Sequence, residues 1–469
     1  MIGMVALTLA LGQGPPDLFA QGNILRNPKG AYEDYVLAAN AFQRSACNAL
    51  VGQTPNTVNS LVATQRRVRA ELDQEDDSER REQLQRQLQQ WDRALSLLPR
   101  DPSRVTQLEL DRAAVADFGP IWAMIQRGNQ KPRLPERATL SMVTTFPEYA
   151  SFRAILKVAA RKARVELADG KGTIALRTMC DAYRFCHQIG NETLIARLVT
   201  IAGYGILNQA VSTHLMAWPN AGLDDLLAEY RLGLPAVPEM ASAFAGERAL
   251  MTEAMQGLIS EDEGWQVYMT GPADDDDGSN SFDAEAWRTR MRALSPAARA
   301  AVTREAIRRF DQQTNRLLAQ MKRPEGEWPF SPRPGGGDDA DRLIQLVTID
   351  PATVLRTEAI ARTRIRLSII AMRARQHAWK HGEWPLNLGD FLTDAEQRDP
   401  LSGKPYVYQY QNGLLTLKSL GNATTGEVSW IQPPRQSGDE DVNLRKPLAV
   451  RGKRFDKIGA WHGSPKSRF

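Results

Sequence analysis

From about Gly30 to Met321 the apolar residues recur three and four positions apart, the spacing that lays one stripe along a helix. Tyr32, Tyr35–Val36 and Ala39 open the pattern, and Leu84, Leu88, Trp91, Leu95 and Leu98 carry it on. The polar run Gln74–Arg81 (QEDDSERR) before them reads as either the exposed part of one long helix or a turn between two antiparallel ones. Fewer than three clean heptads favour a packed helical hairpin over a free coiled coil. The clearest unit spans Pro147–Asn191. A first helix carries Phe152, Leu156, Ala159, Ala163 and Leu167, and Ala168–Gly172 supplies a glycine turn. A second helix carries Ala175, Met179, Ala182, Cys186 and Ile189. Two helices and a short turn in about 40 residues make one repeat of a helical-hairpin stack.

Residues 193–217 predict a third, very apolar helix, in which Arg197, Asn208, Gln209 and His214 argue for core burial rather than a transmembrane span. A helix after Pro238 and a pair over 283–293 and 296–321 complete the helical part. Pro and Gly are dense over 324–341, which reads as a linker. A long helix over Thr353–His381 follows and stops at Gly382. The period then changes to two: Tyr406, Tyr408 and Tyr410 alternate, Asn412-Gly413 is a hairpin turn, and Leu415 and Leu417 return. The expected fold is therefore mainly α: a TPR-like array of stacked helical hairpins over 30–322, a linker over 323–341, a helix plus antiparallel β-hairpin module over 342–432, and a tail over 433–469. Gly-Glu-Trp-Pro occurs at 326–329 and 382–385, each after a long helix, where Gly ends the helix, Trp folds back and Pro prevents continuation.

Composition narrows the class. Of 469 residues 42% are hydrophobic and 24% charged, which sets aside collagen-like and wholly disordered chains. The net charge of +4 is too balanced to argue for nucleic acid. Three cysteines, Cys47, Cys180 and Cys186, cannot all pair within one chain and form no CxxC, so buried free thiols are expected. Residues 1–22 hold an apolar centre, Val5–Leu11, and Ala20 before Gln21 as a cleavage position, but no basic start; they read as an export signal or as an apolar segment packed on the domain.

Chemistry is sparsely signalled. His377 and His381 stand four apart on a helix, as two metal ligands would, but without a third ligand or the internal Glu of HExxH; helix-dipole and surface placement explain them as well. Asp274–Asp277 before Gly278 has part of a calcium loop, yet Ala273 and Ala284 occupy the first and last ligand positions. GxGxxG, GxxxxGK[ST] and GxSxG are absent, and no cofactor is implied. From Arg445 to Phe469 eight Lys or Arg face one acid, Asp456, with Phe455, Trp461 and Phe469 interspersed. Arg445, Lys446, Arg451, Lys453, Arg454 and Lys457 are thus candidates for an anionic lipid or polymer, against the alternative of a solvated tail without a partner.

The run His381–Leu392 (HGEWPLNLGDFL), then Asp399–Tyr410 (DPLSGKPYVYQY) and Leu414–Gly421 (LLTLKSLG), after a long Ala/Arg-rich helix, resembles the C-terminal part of pseudopilins and pilin-like proteins. Pseudopilins often place calcium-binding acids after the last strand, where this chain has Gly421–Thr424, so the resemblance implies no calcium site here. Phe152–Asn191, Leu194–Leu215 and Gly246–Leu250 resemble uncharacterised bacterial proteins that join an α-hairpin region to such a module. That resemblance implies an exported or envelope-associated protein and no active-site residues. The expected function is a non-catalytic scaffold that binds a protein or peptide. The alternatives are a hydrolase-type enzyme with its site in a helical groove, and a polyanion binder acting through the tail.

Overall fold

The computed structural model describes residues 17–99, 104–134, 137, 146–190, 192–234, 237–257, 284–328, 337–347, 351–422 and 424–431. The chain is mainly helical, with 17 helices and one three-stranded antiparallel sheet among these residues. Helices α1 (Leu18–Gln21), α2 (Ala31–Gln43) and α3 (Ala46–Leu50) precede a polar hairpin of α4 (Val58–Gln74) and α5 (Ser78–Ser96). The run Gln74–Arg81 therefore holds a turn, with Asp77 capping α5 by accepting from the Arg80 N–H. Next come α6 (Gln107–Val115) and α7 (Gly119–Asn129). The first opens with a Thr106/Glu109 capping box and the second with Pro120 in its first turn.

The second hairpin, α8 (Glu148–Ala168) and α9 (Gly172–Gln188), is the centre of the body. Helix α8 packs against α2, α6, α9 and α10 (Leu194–Thr213), so most of its circumference is covered. Close approach depends on small residues. A Cβ on Gly203 of α10 would sit 2.5 Å from Cys186 Sγ of α9 and 2.7 Å from Leu156 Cδ1 of α8. Among the described residues α10 is the one helix long and apolar enough to cross a membrane; it lies against α8 and α9 and against two later helices, residues 237–257 and 351–381.

Helices α11 (Leu223–Leu232), α12 (Val237–Gly257), α13 (Ala284–Ala293), α14 (Pro296–Gln320) and α15 (Asp339–Val347) lead to the long α16 (Pro351–His381), which packs along α10. After the short α17 (Asp394–Gln397) come β1 (Val407–Gln411), β2 (Leu414–Ser419) and β3 (Val428–Ile431), in the order β1-β2-β3. Asn412 and Gly413 both take positive φ, 51° and 78°, at the predicted hairpin turn. Strand β3 adds to the expected hairpin; its Val428 and Trp430 face inward beside Ser419 and Leu417.

One apolar core runs from Leu18 through Phe152, Phe185 and Leu207 to Ile365, Leu417 and Trp430, so the helix-and-sheet end shares its interior with the helical hairpins. The described part of the Pro/Gly stretch is mostly exposed, but two of its side chains are anchored in the body. Glu325 and Trp328 are buried, and the Gly326 N–H donates to Pro400 O at 3.1 Å. The two Gly-Glu-Trp-Pro copies consequently do different work. Gly382, at φ 78°, ends α16 and lets Trp384 stack on Tyr410 at 4.4 Å. Gly326 instead makes room for another segment, since a Cβ there would lie 2.6 Å from Leu401 O. At the other end, Leu18 and Phe19 are buried and the Leu18 N–H donates to Asn40 Oδ1, so cleavage after Ala20 would strip a docked turn from the core.

Candidate functional site

The densest buried charge lies where α10, α16 and the turn after α14 meet. Glu358, Arg362 and Arg366 are spaced by four on α16 and so share one face. Arg197, in the first turn of α10, grips Glu358 with both edges of its fork, Nε to Oε2 at 2.8 Å and Nη2 to Oε1 at 2.5 Å. Arg362 donates Nε to the same carboxylate at 3.1 Å and Nη1 to Glu325 at 2.5 Å. Arg366 closes the chain with two hydrogen bonds of 2.6 Å to Glu325. Arg197 and Glu358 are wholly buried, and Arg362 lies over the Trp328 ring at 5.8 Å.

Among the described residues this chain of ions counts three guanidiniums and two carboxylates. Asp399, buried nearby, supplies a field that favours the Arg366 cation. Its own oxygens are engaged in the Asp399–Gly403 turn, accepting from Leu401 N, Ser402 N and Oγ, and from Ser419 Oγ of β2 at 2.6 Å. Burial alone would raise the Glu358 carboxyl, but Arg197 and Arg362 outweigh it and hold it below the usual range. Glu358 is thus held as a carboxylate by two guanidiniums. The ion chain links α16 to α10 and to Glu325 in the turn after α14.

A second polar group lies between α9 and α10. His187 Nδ1 is 3.1 Å from the Tyr204 hydroxyl, and Tyr183 donates to Asn208 at 2.5 Å. Burial, with the Arg197 and Arg133 charges, pushes His187 down to about 4, so its imidazole is neutral at pH 7. On α12 the buried Glu247 is raised by burial to about 7 and accepts from the Leu194 N–H at the start of α10. An open depression of about 390 Å³ on the same helix is lined by Arg248, Thr252, Glu253 and Asp311, of which Arg248 and Asp311 form an ion pair of 2.6 Å.

The residues singled out from the sequence fare differently. His377 and His381 do come together, with ring centroids 4.3 Å apart at the end of α16. Burial and the neighbouring His381 lower the His377 pKa. Among the described residues no group of three or more His, Cys, Asp or Glu side chains could hold a metal ion. All three cysteines are free; Cys186 donates to Thr200 O at 3.3 Å. Arg445, Lys446, Arg451, Lys453, Arg454 and Lys457 lie outside the described residues, as do Val5–Leu11 and Asp274–Asp277. The ion chain was not foreseen. Its spacing on α16 was readable, but Arg197 stands 161 residues from Glu358. Comparison with protein-family models, curated proteins and solved structures finds no match.

Proposed function

We propose that the protein is a non-catalytic, envelope-associated scaffold that docks a protein or peptide partner on its helix-and-sheet end. One observation carries this reading: exposed large apolar side chains concentrate there. Among the described residues nine such side chains are exposed, and six of them, Trp379, Leu386, Val407, Leu414, Leu420 and Ile431, fall within residues 379–431. Val407, Leu414 and Ile431 share the outer face of the sheet with Gln409, Thr416 and Lys418, a mixed surface of the kind protein interfaces use. The buried ion chain supports the same reading, because its carboxylates are held by arginines and leave no acid or base free for chemistry. A long helix laid on a three-stranded antiparallel sheet also supports the pilin-like likeness of the module expected over 342–432.

The test compares wild type with a Val407→Thr/Leu414→Thr/Ile431→Thr variant as bait on native cell envelopes. A partner retained by wild type, lost by the variant and kept after deletion of residues 433–469 is the expected result. Capture that depends on the tail and falls steeply with salt would transfer the function to polyanion binding. Turnover of a small molecule by the purified protein, abolished by His187→Ala, would replace the scaffold with an enzyme.

A further inference from the structure

Four arginines are buried among the described residues: Arg137, Arg197, Arg362 and Arg375. The first three are answered by carboxylates: Arg137 by Glu148 and Glu192, Arg197 by Glu358, and Arg362 by Glu358 and Glu325. Arg375 is the exception. It is 5% exposed, and neither its Nε nor its Nη1 has a hydrogen-bond partner. Its guanidinium carbon lies 4.9 Å from the centre of the Trp379 ring, one helical turn on. Polar neighbours along α16 are already committed: Arg373 binds Glu396 at 2.5 Å and Gln376 binds Asp224 at 2.8 Å. Burial works against the Arg375 cation and no neighbouring charge supports it. On β3, which packs on α16, the Trp430 indole N–H is likewise buried without an acceptor.

A guanidinium does not lose its proton at neutral pH, so it cannot escape burial by becoming neutral. Nη2 is not among the buried unpaired atoms, so the fork is dry on two of its three nitrogens; leaving those donors buried and unpaired is costly, and replacing the side chain by an apolar one should be stabilising. We infer that Arg375 is the anchor of a ligand site for a carboxylate group, which enters beside Trp379 and supplies the missing anion. Charge matching selects the class. One guanidinium neutralises one carboxylate, whereas a phosphate dianion would leave a negative charge buried. Trp379, 40% exposed, covers the cation from one side and gives the ligand an apolar wall. The carboxylate comes from a small organic acid or from the end of a peptide. The site goes beyond the docking surface and would stand even if the sheet face bound nothing.

The experiment measures the melting temperature and tryptophan fluorescence of the full chain during titration with sodium acetate, ionic strength being held with chloride. Wild type should show a saturable rise in melting temperature that chloride does not reproduce. Arg375→Met should melt higher than wild type without acetate and should not respond to it. Arg375→Lys, which keeps the charge but not the fork, should bind about tenfold more weakly. A flat acetate titration in wild type, or an equal response in Arg375→Met, would overturn the assignment. Two further probes, a short apolar peptide with a free C-terminus and its amidated form, identify the source of the anion. Tighter binding of the free peptide than of acetate, absent from the amide, upholds the site as one for a peptide terminus. Equal affinity for peptide and acetate upholds it as one for a small acid.

Discussion

The two helical hairpins α4–α5 and α8–α9 are built from the same local code and end in different states. Both alternate apolar and polar residues at helical spacing, and both turn through a short polar segment. Yet α5 buries only Leu84 and Ala94 over 19 residues, whereas α8 buries eleven of its 21. The difference is the width of the apolar stripe. Helix α5 has one seam, anchored at its end by Gln90, which donates to Gln43 O and Ser45 O. Helix α8 offers Phe152, Ile155, Leu156, Val158 and Ala159 on consecutive turns, and neighbours cover every side they present. A hairpin with one seam is an appendage; one with several becomes the body.

Mutations should separate the two. Phe152→Ala, at a side chain with no exposure that meets Tyr32 and Phe185 edge-on, should cost about 3–5 kcal/mol, read as a loss in urea midpoint. Glu358→Gln leaves Arg197 and Arg362 facing a neutral amide. It should cost about 3 kcal/mol, and a double variant with Arg197→Met should recover part of the loss, as measured by a double-mutant cycle. In α5, Leu88→Ala should cost roughly 1 kcal/mol or less, because that side chain is only half-buried. Amide exchange gives the same contrast without substitution: α4–α5 amides should exchange through local opening, and those of α8 only with global unfolding. Equal protection in the two hairpins would break the comparison.

A fourth test concerns the flank of the body where α12 meets α10. Because Glu247 is raised to about 7 in the fold, the folded state holds its proton more tightly than the unfolded chain. Stability from this group is present below the ordinary carboxylate pKa and is lost as pH rises through about 7. Glu247→Gln should therefore match wild type near pH 4 and exceed it above pH 8 by on the order of 2–3 kcal/mol. Thermal melts at both pH values measure it; a gain at pH 4 instead would refute the sign.

Local order was legible wherever one residue type decides one geometry. The α8–α9 turn, the Asn412-Gly413 hairpin and the stop at Gly382 all follow from glycine's access to positive φ. What escaped was long-range. Nothing in residues 323–328 marks Glu325 as a buried counter-ion, because its partners Arg362 and Arg366 lie 37 and 41 residues on. Gly326 looked like a helix terminator and serves as a gap for Leu401 O. Arg375 looked like one more charge on an arginine-rich helix, and its isolation depends on what neighbouring elements fail to bring. Composition predicts a turn better than a meeting of distant segments.

The pairing of α10 with α16 also has a consequence for biogenesis. When Arg197 leaves the ribosome, its counter-ion is still 161 residues away, which at typical synthesis speeds is on the order of 10–30 seconds of translation. Throughout that interval the most apolar helix among the described residues, with a mean hydropathy of 1.4, is without the cover that α16 will give it. The nascent protein therefore passes through a stage in which α8 and α9 can cover one side of this singly charged segment while the side that α16 will occupy stays open, and that stage is where chaperones or truncation would decide its fate.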